Sequence, residues 1–412
     1  MKTMLNRISL IIFLTTFGFI AGCKNLTDRN NNDDKTSIGL LLMLMNSSSQ
    51  CTVVLMGGKS SCPLSLSGIV STIAGPAPGT TTFGDTDATG NAARFNTPYA
   101  ITTEGTNLYI ADFTNNKIRK IVIATGVVTT LAGPAQGATT SGDTDATGNA
   151  ARFNNPAGIT TDGTNLYVAE YSNNKIRKIV IATGVVTTLA GPAPGAITSG
   201  DTDATGNAAR FNGPSGLTTD GTNLYVTDST NNKIRKIVIA TGVVTTLAGP
   251  AQGATTSGDT DATGNASRFT LPFDITTDGT NLFVADFSNR KIRMIVIATG
   301  VVTTLAGPAP GANTSGDTDA TGNAARFSGP HGVSTDGTNL YVADYSNNKI
   351  RKIVITTGVV TTIAGPAQGA TTSGDTDATG NAARFQVPRA ITTDGTSLYI
   401  VDSSNNKIRK VR

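Results

Sequence analysis

The sequence predicts an all-β protein built as a closed ring of six four-stranded antiparallel sheets. The first observation behind this prediction is a strict internal repeat. An Arg-Phe pair recurs every 58 residues, and its arginines are Arg94, Arg152, Arg210, Arg268, Arg326 and Arg384. The second observation is that each unit contains four short β-type runs separated by turn signals. A fixed period of this length indicates stacked units that bury their faces against one another.

The composition is the third observation, and it also excludes several classes of protein. Charged residues make up 15% and aromatic residues 5% of the chain, which has 46 Gly and no Trp, with runs of Thr and Val where helices favour Ala, Leu and Glu. The single His331, and three Cys that all precede residue 63, exclude a multi-His or Cys-rich metal centre in the later residues. The net charge of +4 becomes nearly balanced, 30 basic against 28 acidic residues, once Lys2 and Arg7 are set aside as part of a removable segment. This balance gives no reason to expect nucleic acid as a partner.

The N-terminal residues 1–22 predict a secretion signal. Lys2 and Arg7 precede an almost wholly apolar run at 8–20, which ends in small residues. A retained transmembrane helix is the alternative, but the run is short for a bilayer. Residues 20–23, Ile-Ala-Gly-Cys, resemble the lipobox of bacterial lipoproteins.

That resemblance implies that Cys23 is acylated and becomes the mature N-terminus, so that the protein reaches the membrane through a lipid. An ordinary signal peptide with an incidental Cys is the alternative. Lys24 in place of Asp favours the outer membrane over the inner one. The expected location is therefore the cell envelope, at the outer membrane and with a surface-exposed domain as one arrangement.

Residues 23–67 are expected to link the lipid to the folded domain. Residues 24–36 are polar and charged, as in a disordered tether, and residues 38–45 are apolar but too short to span a membrane. Cys51 and Cys62 form an even pair in an oxidising compartment once Cys23 is acylated, which predicts a structural disulfide.

The second repeat shows the predicted strands of one unit. They lie at residues 158–161, 165–169, 175–181 and 185–190, with turn signals such as Asp162-Gly163 between them. Each connection is short enough for an antiparallel hairpin. A four-stranded meander repeated at this period predicts one blade of a β-propeller.

The chain ends predict how the ring closes, with the propeller spanning 68–412. The sequence stops at Arg412 after the third strand of the sixth unit, and residues 69–75 match the missing fourth strand. We expect this N-terminal strand to complete the last blade, which removes the open edge of the ring.

The repeat resembles the NHL repeat. In the second unit the matching segments are residues 154–159, 162–170 and 173–178, with the patterns Pro-x-Gly-Ile, Asp-Gly-Thr-Asn-Leu-Tyr-Val-Ala and Asn-Lys-Ile-Arg. Departures are Glu170 in place of Asp, and Ala100, Asp274 and Ala390 in place of Gly. The resemblance implies a six-bladed propeller that mediates interactions and needs no cofactor.

A long loop, residues 133–156 in the second unit, joins each fourth strand to the next first strand. Phe153 and its equivalents are interpreted as wedges between blades. Asp143 and Asp145 invite a calcium interpretation, but the position of the bidentate Glu is filled by Asn154, so turn formation is the simpler explanation. The basic run Lys175, Arg177 and Lys178 is interpreted as a solvated, ion-paired rim.

Differences among the six copies point to a functional face. In a meander, the loop from fourth to first strand and the loop from second to third strand lie at the same end, here called the top face. Most of each unit is nearly identical, whereas the residues around the Pro before the first strand and those after the second strand differ. These positions predict a ring around the channel mouth with Tyr99, Phe273, Asp274, His331 and Arg389, flanked by the aromatic residues Phe113, Tyr171, Phe287 and Tyr345. Loose loop positions would vary in the same way, and this is the alternative.

The sequence therefore predicts a membrane-tethered, non-catalytic binding module that presents its top face to a protein or glycan. One alternative is a metal-dependent propeller enzyme of the lyase or lactonase type, for which His331 and Asp274 offer few ligands. A structural surface-layer or spacer protein is the other alternative. RNA binding, which some NHL domains show, is the least favoured because the chain is exported and nearly neutral.

Overall fold

A computed structural model describes residues 63–412, together with two short strands before them. These strands, β1 (Met45–Asn46) and β2 (Ser49–Gln50), pair antiparallel. The predicted signal segment, the predicted lipidation site Cys23 and the predicted Cys51–Cys62 disulfide lie outside the described residues. None of the helices in the described part of the chain is long and apolar enough to cross a membrane.

The rest of the described chain forms six four-stranded antiparallel sheets, the blades of a propeller. The first strand of every blade contacts the first strands of the two neighbouring blades, so these six strands surround a central channel. We call them inner strands and the fourth strands outer strands. The predicted all-β, six-bladed fold is confirmed.

The strand bounds repeat from blade to blade. Blades 1 to 3 consist of β4 (Pro98–Thr103), β5 (Asn107–Asp112), β6 (Lys117–Val122) and β7 (Val128–Ala132); β8 (Pro156–Thr161), β9 (Asn165–Glu170), β10 (Lys175–Val180) and β11 (Val186–Ala190); and β12 (Pro214–Thr219), β13 (Asn223–Asp228), β14 (Lys233–Val238) and β15 (Val243–Ala248). Blades 4 to 6 consist of β16 (Pro272–Thr277), β17 (Asn281–Asp286), β18 (Lys291–Val296) and β19 (Val302–Ala306); β20 (Pro330–Thr335), β21 (Asn339–Asp344), β22 (Lys349–Val354) and β23 (Val359–Ala364); and β24 (Pro388–Thr393), β25 (Leu398–Asp402), β26 (Lys407–Val411) and β3 (Val70–Ala74).

The ring closes as predicted. The N-terminal strand β3 pairs antiparallel with β26 of the last blade, with Val70 opposite Val411 and Ala74 opposite Ile408. The first and last strands of the propeller thus share one blade, and the ring has no open end.

Short 3-10 helices lie in the connections. Each long loop contains one, and these are Gly90–Ala92, Gly148–Ala150, Gly206–Ala208, Gly264–Ala266, Gly322–Ala324 and Gly380–Ala382. Three more follow second strands, at Ser229–Asn231, Tyr345–Asn347 and Ser403–Asn405.

The core lies within and between the blades, and the loop phenylalanines belong to it. Phe153 packs with Ala151 and residues of two neighbouring blades. All six equivalents are fully buried, namely Phe95, Phe153, Phe211, Phe269, Phe327 and Phe385. The prediction that they are wedges between blades is confirmed.

The predicted solvated rim of basic residues is wrong for two of its three members. Lys175 and Arg177 are fully buried. Arg177 pairs with Glu170 at 2.6 Å and with Asp145 at 2.5 Å, and Lys175 pairs with Asp143. The long loop folds back over the blade and brings its carboxylates to these cations, which lets the charges be buried.

The same ion pairs explain the two loop aspartates that suggested calcium. Each of these aspartates forms an ion pair with a buried cation of its own repeat, and the equivalent pairs are present in all six blades. Their role is therefore more than the formation of a turn. Asp145 also accepts a hydrogen bond from the outer-strand amide of Thr188 at 2.9 Å. The loop therefore covers the outer edge of each blade, which protects it from pairing with another chain.

Candidate functional site

The candidate site lies at the top face, where the inner strands begin. Each inner strand starts with a Pro, and the next residue differs between copies: Tyr99, Ala157, Ser215, Phe273, His331 and Arg389. Because the six inner strands surround the channel, these side chains lie around its mouth. The structure brings four of them together with aromatic residues that follow the second strands.

His331 is the centre of this arrangement and is 3% exposed. Its ring stacks on Phe273, with centroids 4.8 Å apart, and on Tyr345 at 5.7 Å. The edges of Tyr99 and Phe287 complete the enclosure, at 5.2 and 5.9 Å. These four rings come from blades 1, 4 and 5, so the contacts span the channel mouth.

The hydrogen bonds of His331 fix its neutral form. Its Nδ1 lies 2.9 Å from the backbone carbonyl of Arg389, which accepts only, so Nδ1 carries the proton. Nε2 is then an acceptor and faces the Tyr99 hydroxyl at 3.4 Å and Arg389 Nη1 at 3.3 Å. Burial lowers the pKa of His331 well below its ordinary value of 6.5, and the charge of Arg389 lowers it further.

Arg389 is held between two tyrosine rings. Its guanidinium carbon lies 4.3 Å from the ring centroid of Tyr99 and 5.1 Å from that of Tyr345. Phe113 stacks on Tyr99, with the two ring centroids 4.8 Å apart. We call Tyr99, Phe113, Phe273, Phe287, His331, Tyr345 and Arg389 the top-face cluster.

The other two predicted site residues lie apart from this cluster. Tyr171 is 37% exposed and packs over Gly213 of the next blade, where an added Cβ would lie 2.9 Å from the Tyr171 ring. Asp274 lies below the mouth, on the wall of the channel. Seven of the nine predicted residues are thus in contact within one cluster.

Beneath the cluster, the channel contains a cavity of about 70 Å³. Its wall consists of aliphatic and hydroxyl side chains from all six inner strands, together with Asp274. The Asp274 carboxylate accepts a hydrogen bond from the Val333 amide at 2.9 Å, and no cation of the described residues pairs with it. Burial raises the pKa of Asp274 to about 7, against the lowering effect of the amides of Val333 and Ile275.

The backbone before the inner strands is strained in three copies. The residue that precedes the Pro has a positive φ in every blade, and Asn155, Gly213 and Gly329 suit this conformation. Thr97, Leu271 and Val387 do not, yet they adopt φ values of 52°, 50° and 59°. Residues with a strained backbone are concentrated at functional sites, where a side chain is kept for its function although it lowers stability.

Sequence reasoning missed three exposed apolar residues at this face. Phe83, Ile197 and Leu271 are 67%, 59% and 37% exposed. Phe83 and Ile197 lie in the top part of the long loops, as the bond from the Asn174 side chain to the Ile197 carbonyl shows. Each replaces a smaller or polar residue of the other copies, such as Ser141 or Thr139. The comparison between copies covered the position of Leu271, next to the varied Pro segment, and would have found Phe83 and Ile197 had it been extended to the rest of the long loops.

Among residues 63–412, no three His, Cys, Asp or Glu side chains come close enough together to hold a metal ion. Of the two ligands considered for an enzyme, Asp274 accepts a hydrogen bond from the Val333 amide, and both ring nitrogens of His331 face Arg389 or Tyr99.

Comparison with known proteins finds similarity to NHL repeat proteins, although no family model matches the chain. NHL repeat-containing protein 2 of Homo sapiens is 28% identical over 324 residues, which cover 71% of this chain and 43% of that protein. The Bos taurus protein of the same name is 29% identical over 325 residues, covering 70% and 42%. The chain thus spans about two fifths of the length of these curated relatives.

Solved structures show the same fold. An auxiliary nutrient binding protein from Bacteroides thetaiotaomicron superposes with a TM-score of 0.61 at 17% identity, covering 84% of this chain and 76% of that one. A structural genomics protein of unknown function from the same organism gives a TM-score of 0.60 at 20% identity, covering 83% and 75%. The repeat similarity and the six-bladed fold together support an NHL-type propeller.

Proposed function

We propose that this NHL-type propeller is a non-catalytic binding module that presents its top face to a glycan or protein ligand. We further propose that it is tethered in the cell envelope through a lipid on Cys23. The tether rests on the sequence pattern alone, whereas the binding face rests on the geometry of the channel mouth.

The convergence of the varied residues into one cluster carries the proposal. Strands such as Lys175–Val180 and Lys233–Val238 are identical in sequence, and exposed turns are nearly so. The mouth positions differ, and their side chains contact one another across the channel. If these positions varied only because their loops tolerate many residues, their side chains would not be expected to contact one another. A rigid frame with an aromatic, cationic mouth is typical of a recognition surface.

The described N-terminal residues support presentation of this face. The Leu64 amide donates to the Asp336 carboxylate at 3.0 Å, and Asp336 lies in the turn at the bottom of blade 5. The Ser67 hydroxyl donates to the carbonyl of Arg412, also at the bottom. The chain therefore enters the propeller opposite the cluster, and an anchor on this side would leave the top face directed away from it.

The names of similar proteins agree with a binding role. Two propellers of Bacteroides with TM-scores of 0.61 and 0.60 are described as auxiliary nutrient binding proteins. We infer from this that capture of a nutrient or another external ligand suits the fold. A metal-dependent enzyme remains the alternative, and metal analysis of the purified protein tests it separately.

A consensus replacement of the mouth tests the proposal. The top variant carries Tyr99→Ala, Phe273→Ser and Arg389→Ala. The introduced residues are those that two other copies have at the equivalent position, Ala157 and Ser215. The control variant carries Glu104→Asp, Met294→Lys and Ser397→Asn, which also restore residues of the other copies but lie away from the mouth. Both variants and the unmodified full chain are tested on a panel of immobilised oligosaccharides and envelope proteins, with calorimetry for each ligand found.

We expect the top variant to bind at least tenfold more weakly than the unmodified chain, because it loses two aromatic side chains and the cation. The control variant should bind as the unmodified chain does. Equal binding by the top variant, with an unchanged melting temperature, would refute the proposal.

A further inference from the structure

We propose that Arg389 recognises an anionic group of the ligand. The ligand of the top face is then an anionic sugar, a pyranose ring that carries a carboxylate. This inference rests on the proposed function and names the ligand class for that site. It follows from the pairing of Arg389, from the way it is held, and from the aromatic surface around it.

The pairing of Arg389 differs from that of the buried arginines. Arg119, for example, pairs with Asp112 at 2.8 Å and with Asp87 at 2.6 Å. All six buried equivalents take two carboxylates in this way, namely Arg119, Arg177, Arg235, Arg293, Arg351 and Arg409. Within residues 63–412, no carboxylate pairs with Arg389. Its buried Nε has no hydrogen-bond partner, but the same holds for Nε of Arg177 and Arg235, so the missing carboxylate is what sets Arg389 apart. A guanidinium at a partly exposed site with no carboxylate partner is left uncompensated, and a ligand carboxylate would supply that partner.

The guanidinium is nevertheless held in place. The Tyr99 and Tyr345 rings lie 4.3 and 5.1 Å from its carbon, and Nη1 lies 3.3 Å from His331 Nε2. His331 accepts this bond because it is neutral, so the cluster carries the single positive charge of Arg389. A cation that is already oriented loses little conformational freedom when a ligand binds, which favours affinity.

The aromatic rings around Arg389 indicate which kind of ligand carries the anionic group. The rings of Phe113, Phe273, Phe287 and Tyr345 are half-buried at the mouth and therefore leave part of their surface to solvent. Flat aromatic surfaces pack against the C–H face of a pyranose ring, and a planar guanidinium matches a carboxylate with two parallel hydrogen bonds. Asp274, the acidic residue among the varied positions, lies below on the channel wall and is not paired with Arg389. Asp402 and Asp344 pair with Arg409 and Arg351. The mouth thus combines a ring-binding surface with one available cation.

Calorimetry of the full chain with short oligogalacturonates tests this proposal. The neutral probe is the corresponding galactose oligomer, and a sulfated galactose oligomer separates carboxylate from sulfate as the source of the anion. Arg389→Gln removes the proposed recognition group. Arg290→Asn is the matched control, since it removes one positive charge from the same face and restores the Asn found at this position in the other five copies.

We expect the unmodified chain to bind the acidic oligomer more tightly than the neutral one, with an affinity that falls as salt is added. R389Q should bind the acidic oligomer about tenfold or more weakly, and R290N should bind it as the unmodified chain does. Binding of the sulfated oligomer that depends on Arg389, with weak binding of the galacturonate, would overturn the carboxylate assignment.

Two further outcomes would overturn the proposal. Equal weakening by R389Q and R290N would show general attraction by charge and no specific site. Equal binding of acidic and neutral oligomers, unaffected by R389Q, would show that Arg389 recognises no anion. If the top variant with three substitutions still lost binding in that case, the proposed function would stand without this inference.

Discussion

At the scale of single residues, His331 shows both the reach and the limit of sequence reasoning. Its position after Pro330 predicted that it lies at the channel mouth, because that position is set by the repeat. Its burial to 3% exposure and its stacking between Phe273 and Tyr345 were not predictable. Those contacts join side chains of different blades and depend on rotamers that no local pattern encodes.

Asp274 leads to a prediction about pH. Its folded-state pKa of about 7 lies above the ordinary 3.8, so the folded protein keeps this proton between those values while the unfolded chain loses it. The contribution of Asp274 to stability is therefore present below about pH 4 and is lost as the pH rises to about 7. Asp274→Asn keeps an acceptor for the Val333 amide but cannot ionise.

We expect D274N to be more stable than the unmodified protein at pH 8, by on the order of 2 kcal/mol, and to lose this advantage at pH 4. Thermal unfolding from pH 4 to pH 8 measures the difference. Asp278→Asn, at an exposed turn of the same blade, is the control and should follow the unmodified profile. If D274N showed that same profile, the carboxylate would not be protonated in the folded state at pH 6.

At the scale of elements, local patterns predicted the strands well. The run predicted at residues 165–169 is the strand Asn165–Glu170, and the run at 175–181 is Lys175–Val180. The burial of Lys175 and Arg177 was not predicted. Their partners Asp143 and Asp145 lie 32 residues earlier in a long loop, and only the path of that loop brings the charges together.

The turn before each inner strand leads to a prediction about strain. Val387 is β-branched and is held at φ 59°, where Gly213 and Gly329 stand in two other copies. We expect Val387→Gly to stabilise the protein by about 0.5–1 kcal/mol, because the relief of strain exceeds the entropy that a new Gly costs. Chemical denaturation measures this change in the free energy of unfolding.

Asn155→Gly is the matched control for this turn. Asn tolerates a positive φ of 53°, so the same substitution should bring no gain there. A loss of stability in V387G would show that packing of the Val side chain outweighs the strain, and the interpretation of these turns as strained would fail.

At the scale of the whole molecule, the six-fold period made the fold predictable. A period of 58 residues with four β-type runs predicted a closed ring of blades, that is, a propeller. The fourth-strand sequence that precedes the first repeat predicted that β3 completes the last blade. The ring also predicted that the varied residues share one face. Whether they touch was beyond prediction, since the width of the channel mouth and the reach of each side chain decide it.

The exposed residues that were missed belong to this scale too. Phe83, Ile197 and Leu271 occur in three different repeats. Phe83 and Ile197 replace the Ser or Thr of most copies, whereas Leu271 stands at a position that differs between most copies. Only the folded ring shows that they extend the same face as the top-face cluster. We therefore propose that this face, with its aromatic and cationic centre, is the part of the molecule that contacts a ligand.

The most direct test of this claim uses the single histidine. In an untagged protein, His331 gives the one imidazole signal in a carbon–proton correlation spectrum, and its position between aromatic rings makes that signal sensitive to any change in the cluster. The signal is followed while neutral and acidic oligosaccharides are added, and calorimetry measures binding in the same samples. We expect a ligand that binds to shift the His331 signal, and the shift to saturate with binding. A ligand that binds by calorimetry and leaves the His331 signal unchanged would contradict binding at the top face, because binding would then occur elsewhere on the propeller.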